Sequence, residues 1–378
     1  MARGENALIA VAGAPTAVTN NAIAGILDEL GQSDHIGEIY GALTGLAGAL
    51  DGRLVDLGAQ KRKTIEGLRR TPGSVLGGRV RYLGDEDMAL FITSLKSRDI
   101  GTVFLVGGLP AIELAKFAKN AAKERGYQLN VLVVPASPEN EINAGDHCIG
   151  YGSAARAAAI AARDAARGAG GGEEPLVVLE IGGAGAGWLA GATALARDEF
   201  NSAPHSILLP ERPIDVDELV EETRRATQKF GYALLVTTDG AQSTGGEQLN
   251  GPALADIIAD RLNLPSRWDK IGLVTSVSGA NIARADADEA YNLGALVARL
   301  SSEDTSGYVV ALNRADEGRG ERGYKVVEAS LRLEQVEEFP RTLPDNFISS
   351  SGTNVTEEFL DWARPLSGGA LPEYSSLG

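Results

Sequence analysis

Residues Thr102–Gly108 read TVFLVGG, and two stretches after them complete one unit: Ala111–Glu124 (AIELAKFAKNAAKE) and Asn130–Pro135 (NVLVVP). The outer two are short β-branched runs with no polar side, so each reads as a strand buried on both faces. The middle one is alanine- and leucine-rich with helical period. Strand, helix, strand with doubly buried strands implies a parallel sheet covered by helices on both faces.

The same alternation extends outward. Ala7–Gly13 (ALIAVAG) reads as a strand and Asn20–Leu30 as the helix after it. Ser153–Arg167 reads as a helix, Leu176–Gly183 as a strand, and Trp188–Arg197 as the site of another helix. Ser206–Pro210, Ala233–Thr237 and Ile271–Ser276 repeat the strand pattern, each followed by a helix. Arg167–Glu174 (RGAGGGEE) reads as a flexible surface loop and Leu366–Gly378 as a loosely held tail. Ligands of such sheets sit beyond the carboxyl ends of the strands, so the loops beginning at Gly13, Gly107, Pro135, Gly182, Pro210 and Asp239 are the ones to inspect.

The 378 residues suit a large two-lobed unit or two domains. Thirty-five Lys and Arg stand against 51 Asp and Glu, a formal net charge of −16, which argues against nucleic acid or an anionic membrane as the main partner. Cys148 is the single cysteine, so no intrachain disulfide can form, which suits a reducing cytoplasm. No apolar run approaches the ~20 residues of a membrane span, and the first residues lack a signal-peptide pattern.

Two loops carry chemistry. In Gly13–Asn20 (GAPTAVTN), small residues between strand and helix let backbone N–H groups approach an anion, and Asn20 is placed to cap the helix. Pro135–Ser153 gathers Glu139, Glu141, Asp146, His147 and several hydroxyls at a strand end. Carboxylates there can hold a metal or act as a general base, or form only a solvated acidic loop.

Taken in order, the loops resemble the phosphofructokinase family, within it the bacterial pyrophosphate-dependent type. GAPTAVTN stands for a family loop similar to GGPTAVIN, Ile39–Gly45 (IYGALTG) for IYGALNG, and Thr71–Gly77 (TPGSVLG) for TPG…LG. Gly145–Ala155 (GDHCIGYGSAA) is similar to TDHCPGFGSAA, Glu180–Ala190 (EIGGAGAGWLA) to EIMGRNAGWLA, and Thr353–Leu366 (TNVTEEFLDWARPL) to NDVTEEFLDYARPL. Ala203–Glu211 completes the set with APH…LPE.

The resemblance implies a two-lobed α/β fold. One lobe, for the phosphoryl donor, takes residues 1–150 with 286–305. The other, for the sugar phosphate, takes 151–285 with 306–350, and 351–378 form a C-terminal helix and tail. It implies phosphoryl transfer to a sugar phosphate, a chemistry of positioning and charge neutralisation with Mg²⁺. Carried over residue by residue, Ser137, Glu139 and Glu141 take the catalytic positions. Asn140, Glu211, Gly183, Arg81 and Tyr151 take substrate positions, and Gly13, Asn20, Gly107 and Gly108 phosphate-loop positions.

The sequence departs from the pattern at the charges. The family loop PKTIDND is PASPENE here (Pro135–Glu141), so the lysine is Ala136 and both aspartates are glutamates. The metal-side position is Leu109, followed by Pro110; the MGR arginine is Ala184; Thr275–Ser278 carries no arginine. Only Glu139, Glu141 and Asp146 remain in the loop as Mg²⁺ ligands. Three readings follow: an enzyme repurposed for a small polar metabolite, a non-catalytic subunit partnering a catalytic homologue, or a weak phosphofructokinase whose cations come from Arg79, Arg81, Arg156, Arg212 and Lys116. The family also implies a homo-oligomer, dimer or tetramer. His147, His205, Trp188 and Cys148 read as packing residues, His35 as a surface residue, and Asp239 as a rim residue.

Overall fold

The computed structural model describes residues 5–79, 83–183, 185–303, 306–315 and 323–375. The chain forms two compact units, the first from Met1–Tyr151, Arg284–Glu317 and Lys325–Pro340, the second from Gly152–Ala283, Gly318–Tyr324 and Arg341–Gly378.

The first unit opens with β1 (Glu5–Ala12), α1 (Thr19–Leu30), β2 (Ile36–Ala42), α2 (Leu46–Leu50), β3 (Leu54–Asp56), α3 (Arg62–Leu68) and α4 (Asp85–Lys96). It continues through β4 (Ile100–Gly107), α5 (Leu109–Glu124) and β5 (Asn130–Pro135) to α6 (Tyr151–Ala169), which carries the chain onward. The second unit adds β6 (Leu176–Ile181), α7 (Trp188–Ala192), β7 (Ser206–Ile207), α8 (Val216–Phe230), β8 (Ala233–Thr238), α9 (Gly251–Leu262), β9 (Ser266–Ile271) and α10 (Leu273–Ser276). The chain returns to the first unit with α11 (Arg284–Leu300), β10 (Tyr308–Arg314) and β11 (Val326–Arg332), and ends in the second with α12 (Glu357–Leu366).

The first sheet has the order β11-β10-β5-β4-β1-β2-β3. Its inner pairs are parallel, while β3 and β11 lie antiparallel at the two edges. β1, β4 and β5 are buried almost throughout, as their continuous apolar runs require. Leu8, Ala10, Val103, Leu105, Val131 and Val133 share a core with Phe91 and Ile92 of α4 and Ile112 and Ala115 of α5. The second sheet, β7-β8-β6-β9, is wholly parallel.

Helices α1 and α11 approach backbone to backbone. A Cβ on Gly25 would lie 2.0 Å from the Tyr291 carbonyl oxygen, and one on Gly294 would lie 2.1 Å from that of Ala22. Neither neighbour is a side chain that can swing away, so the helices themselves must separate. Gly294→Ala is expected to cost ~1–3 kcal/mol, read as a lower urea midpoint.

Several expectations are corrected. Ile271–Ser276 is not a strand: β9 ends at Ile271 and α10 follows. β9 is an edge strand that exposes Arg267, Trp268 and Lys270, so it lacks the apolar signature of its neighbours. Residues 306–315 and 325–340 belong with the first unit, because β10 pairs with β5 and β11 pairs with β10. The stretch expected as a strand from Ser206 is short, only Ser206–Ile207. Helix α6 runs to Ala169, into the segment read as a loop. The tail is held: Arg156 Nη1 donates to the Ser367 and Ala370 carbonyls, and the Tyr374 hydroxyl donates to Asp164.

Candidate functional site

The carboxyl edge of the first sheet brings three loops together. After β1, Gly13 turns with φ +132°, and a Cβ there would stand 3.4 Å from the Gly108 nitrogen. Asn20 does not cap α1, whose N-cap is Val18 without a side-chain bond. Instead Asn20 clasps the neighbouring loop, donating to the Thr71 carbonyl (2.9 Å) and accepting from Val75 N–H (3.0 Å). After β4, Gly107 lies against the Ala12 carbonyl, where a Cβ would come within 2.0 Å. Gly108 is the N-cap of the sixteen-residue α5 and has no side chain to satisfy that helix end.

The loop after β5 supplies the side chain that does. Leu109 N–H donates to Glu141 Oε1 at 3.4 Å, and a Cβ on Gly108 would stand 2.6 Å from the same oxygen. Burial pushes the Glu141 carboxyl above its ordinary range, against the Leu109 N–H and Ser137 hydroxyl that favour the carboxylate. Ser137 and Ala136 are buried, Glu139 half-buried. Asn140 is fully buried in the left-handed region at φ +55°; its Oδ1 accepts from Cys148 N–H at 2.9 Å, and its Nδ2 has no partner among the described residues.

The second half of this loop is tied down by charge. Asp146 accepts from Arg314 Nη2 (3.2 Å) and faces His147 Nδ1 (3.0 Å), and His147 Nε2 faces Glu289 (2.9 Å). Burial disfavours a charged imidazole, but the hydrogen bonds and charges of Asp146 and Glu289 outweigh it and raise the pKa to about 9. Gly150 N–H donates to Asp286 at 2.7 Å. His147 thus packs as expected, but as a buried cation. Asp286, Glu289 and Arg314 were not foreseen; they lie 136 to 168 residues from their partners, beyond any local pattern.

The residues do not fit Mg²⁺ as the resemblance implies. Asp146 is engaged by Arg314 and His147, Glu141 by α5, and the metal-side Leu109 is only 9% exposed. No group of three or more His, Cys, Asp or Glu is gathered for a metal among the described residues.

Other expected site residues fall elsewhere. Tyr151 is fully buried at the start of α6. In the second unit Gly183 makes a tight turn after β6 with φ +134°. Glu211 Oε1 accepts from Gly187 N–H (2.9 Å) at the start of α7 and from Leu343 N–H (2.8 Å), while its Oε2 is buried with no partner among the described residues. Glu211 is therefore a brace between two backbone segments. Arg81 and Ala184 lie outside the described residues. Trp188 is fully buried against Phe347 and Trp362, and His205 stacks on Phe230. His35 is half-buried and bonds the hydroxyls of Ser33 and Ser301, a correction to its surface reading.

Three of the candidate substitute cations are engaged by other partners. Lys116 pairs with Glu338, Arg156 holds the tail, and Arg212 pairs with Asp345; Arg79 is exposed.

The phosphofructokinase family model matches residues 6–296. The chain belongs to the phosphofructokinase family. Among its relatives is a pyrophosphate–fructose 6-phosphate 1-phosphotransferase of Methylococcus capsulatus, 28% identical over 98% of this chain and 96% of that one. A sulfofructose kinase of Alkalicoccus urumqiensis is 29% identical over 90% of this chain and 91% of its own. A solved pyrophosphate-dependent phosphofructokinase from Nitrosospira multiformis superposes with a TM-score of 0.89 at 27% identity, covering 98% of this chain and 94% of that one. Phosphofructokinases are phosphotransferases, and the α/β fold expected from the sequence is the one this family shares. Among the described residues no helix is long and apolar enough to cross a membrane.

Proposed function

We propose that this phosphofructokinase-family protein binds a small polar metabolite, sugar or sugar-phosphate-like, and has lost ordinary 6-phosphofructokinase turnover. The observation that carries the reading is the Glu141 carboxylate at the N-terminus of α5, bonded to Leu109 N–H. A helix N-terminus bordered by glycines attracts an anion. Here the chain supplies that anion itself, beside a buried Ala136 where the family has lysine. A phosphate brought to the same place meets a fixed negative charge and no lysine. Ser137 and Glu139 keep the loop polar enough for a hydroxylated ligand. The sulfofructose kinase among the relatives supports a frame that accepts acceptors other than fructose 6-phosphate.

A coupled assay with fructose 6-phosphate, Mg²⁺ and either pyrophosphate or ATP is expected to show turnover about 10³-fold or more below that of a complete pyrophosphate-dependent relative. Calorimetry with a panel of sugars and sugar phosphates is expected to find a ligand weakened by Ser137→Ala. Turnover of fructose 6-phosphate at a rate approaching that relative's overturns the proposal. An empty panel, together with co-purification of a second, complete family member, moves the reading to a non-catalytic subunit.

The same carboxylate makes a stability prediction. A carboxyl whose folded pKa is raised destabilises the fold as pH rises through that pKa. Glu141→Gln keeps the shape and removes the desolvated charge, so its melting temperature at neutral pH is expected to exceed that of the parent.

A further inference from the structure

A cavity of about 640 Å³ lies wholly within the second unit, where residues 367–375 fold back towards α6 and the turn at 197–200. Three arginines line it, of which Arg364 is half-exposed and pairs with Asp361 at 3.4 Å. Arg163 is 6% exposed and fully engaged: Nε donates to the Ala196 carbonyl, Nη1 to the Pro372 carbonyl, and Nη2 pairs with Asp198 at 3.4 Å.

Arg197 is different. Its Nε and Nη2 donate to the Pro204 carbonyl and Nη2 also to Asn354 Oδ1, all neutral acceptors. Its Nη1 has no partner, and no carboxylate pairs with it, among the described residues. Burial lowers its pKa to about 10, with Glu357 the single charge opposing the fall. The cavity therefore holds a half-buried guanidinium without a paired counter-anion among the described residues.

The apolar lining includes Leu195, Ala370, Leu371 and Phe200, the last 66% exposed. Glu199 and Glu373 also line the cavity, but both are exposed to water. Exposed charges are screened within a Debye length, whereas a half-buried one is screened less, so Arg197 sets the sign at its end of the cavity.

We propose that this cavity is a binding site for a small organic anion, a carboxylate, phosphate or sulfonate head on an apolar body, with the head on Arg197 and the body against Phe200. The volume lies in the range of ordinary small-molecule sites. The proposal is independent of what binds at the carboxyl edge of the first sheet.

Titration calorimetry of the full chain with phenyl phosphate tests it, with inorganic phosphate and benzylamine as comparators. Phenyl phosphate is expected to bind one equivalent, inorganic phosphate more weakly, and benzylamine not at all. Arg197→Gln removes a charge-assisted contact and is expected to weaken phenyl phosphate about tenfold. Because Arg197 also braces Pro204 and Asn354, Phe200→Ser provides a second variant at an exposed position, expected to weaken it roughly fivefold. Ser137→Ala is expected to leave it unchanged. Absence of binding, equal binding of benzylamine, indifference to Phe200→Ser, or loss in Ser137→Ala each overturns the proposal.

Discussion

Replacing His147 by alanine is expected to destabilise the protein by about 3–5 kcal/mol, the usual cost of breaking a buried ion pair by removing one partner. His147 lies between Asp146 and Glu289, at 3.0 and 2.9 Å, and its side chain is 1% exposed. Both ring nitrogens face carboxylates, so the ring holds two protons. Without it, two carboxylates face a small void and each other's charge. The damage reaches the candidate site, because the adjacent Cys148 N–H is what Asn140 Oδ1 accepts from.

The pH dependence separates this account from simple loss of packing. The folded pKa is raised from 6.5 to about 9, so the stabilisation is full below pH 6.5 and is lost as pH rises through about 9. Its size is on the order of 3 kcal/mol. Urea unfolding at pH 6 and pH 9.5 should show the parent losing this contribution and His147→Ala showing little of the change. A parent whose unfolding free energy stays flat across that window would refute the buried imidazolium.

What the sequence disclosed depended on how locally each feature is encoded. Asn130–Pro135 reads as a strand with the bounds it has, because a doubly buried parallel strand is apolar at every position. Helix α5 was legible from its period, apart from its first turn, where Leu109 and Pro110 look like loop residues. β9 escaped because a half-exposed edge strand alternates with charges, and the apolar residues after it drew the reading towards Ile271–Ser276. β10 and β11 were legible as neither strands nor members of the first sheet, since pairing with β5 crosses more than 170 residues. The loops of the site were found by their order along the chain. The backbone partners of their carboxylates were not: Glu141 meets a helix end, and Glu211 Oε1 braces Gly187 and Leu343. A side chain's type is in the sequence, but which backbone N–H it meets depends on the fold.

On the proposed reading, kcat/KM for fructose 6-phosphate is expected to fall about 10³–10⁶-fold below that of a complete pyrophosphate-dependent relative, because a lysine and two arginines are replaced and each charge-assisted contact contributes roughly 1.5–3 kcal/mol. The informative experiment is the reversion series. Ala136 is 2% exposed, so Ala136→Lys alone places an ammonium where burial disfavours it, while Glu141 still holds the N-terminus of α5. The single variant is expected to gain less than about tenfold, below one contact's full worth. Ala136→Lys with Glu141→Asp shortens the carboxylate that reaches Leu109 N–H and supplies the cation together, and is expected to gain more than the product of the two single changes. Independent gains in the coupled assay would mean that Glu141 does not hold the anion's place. A gain above 100-fold from Ala136→Lys alone would locate the lost activity in the missing lysine and remove the internal carboxylate from the explanation.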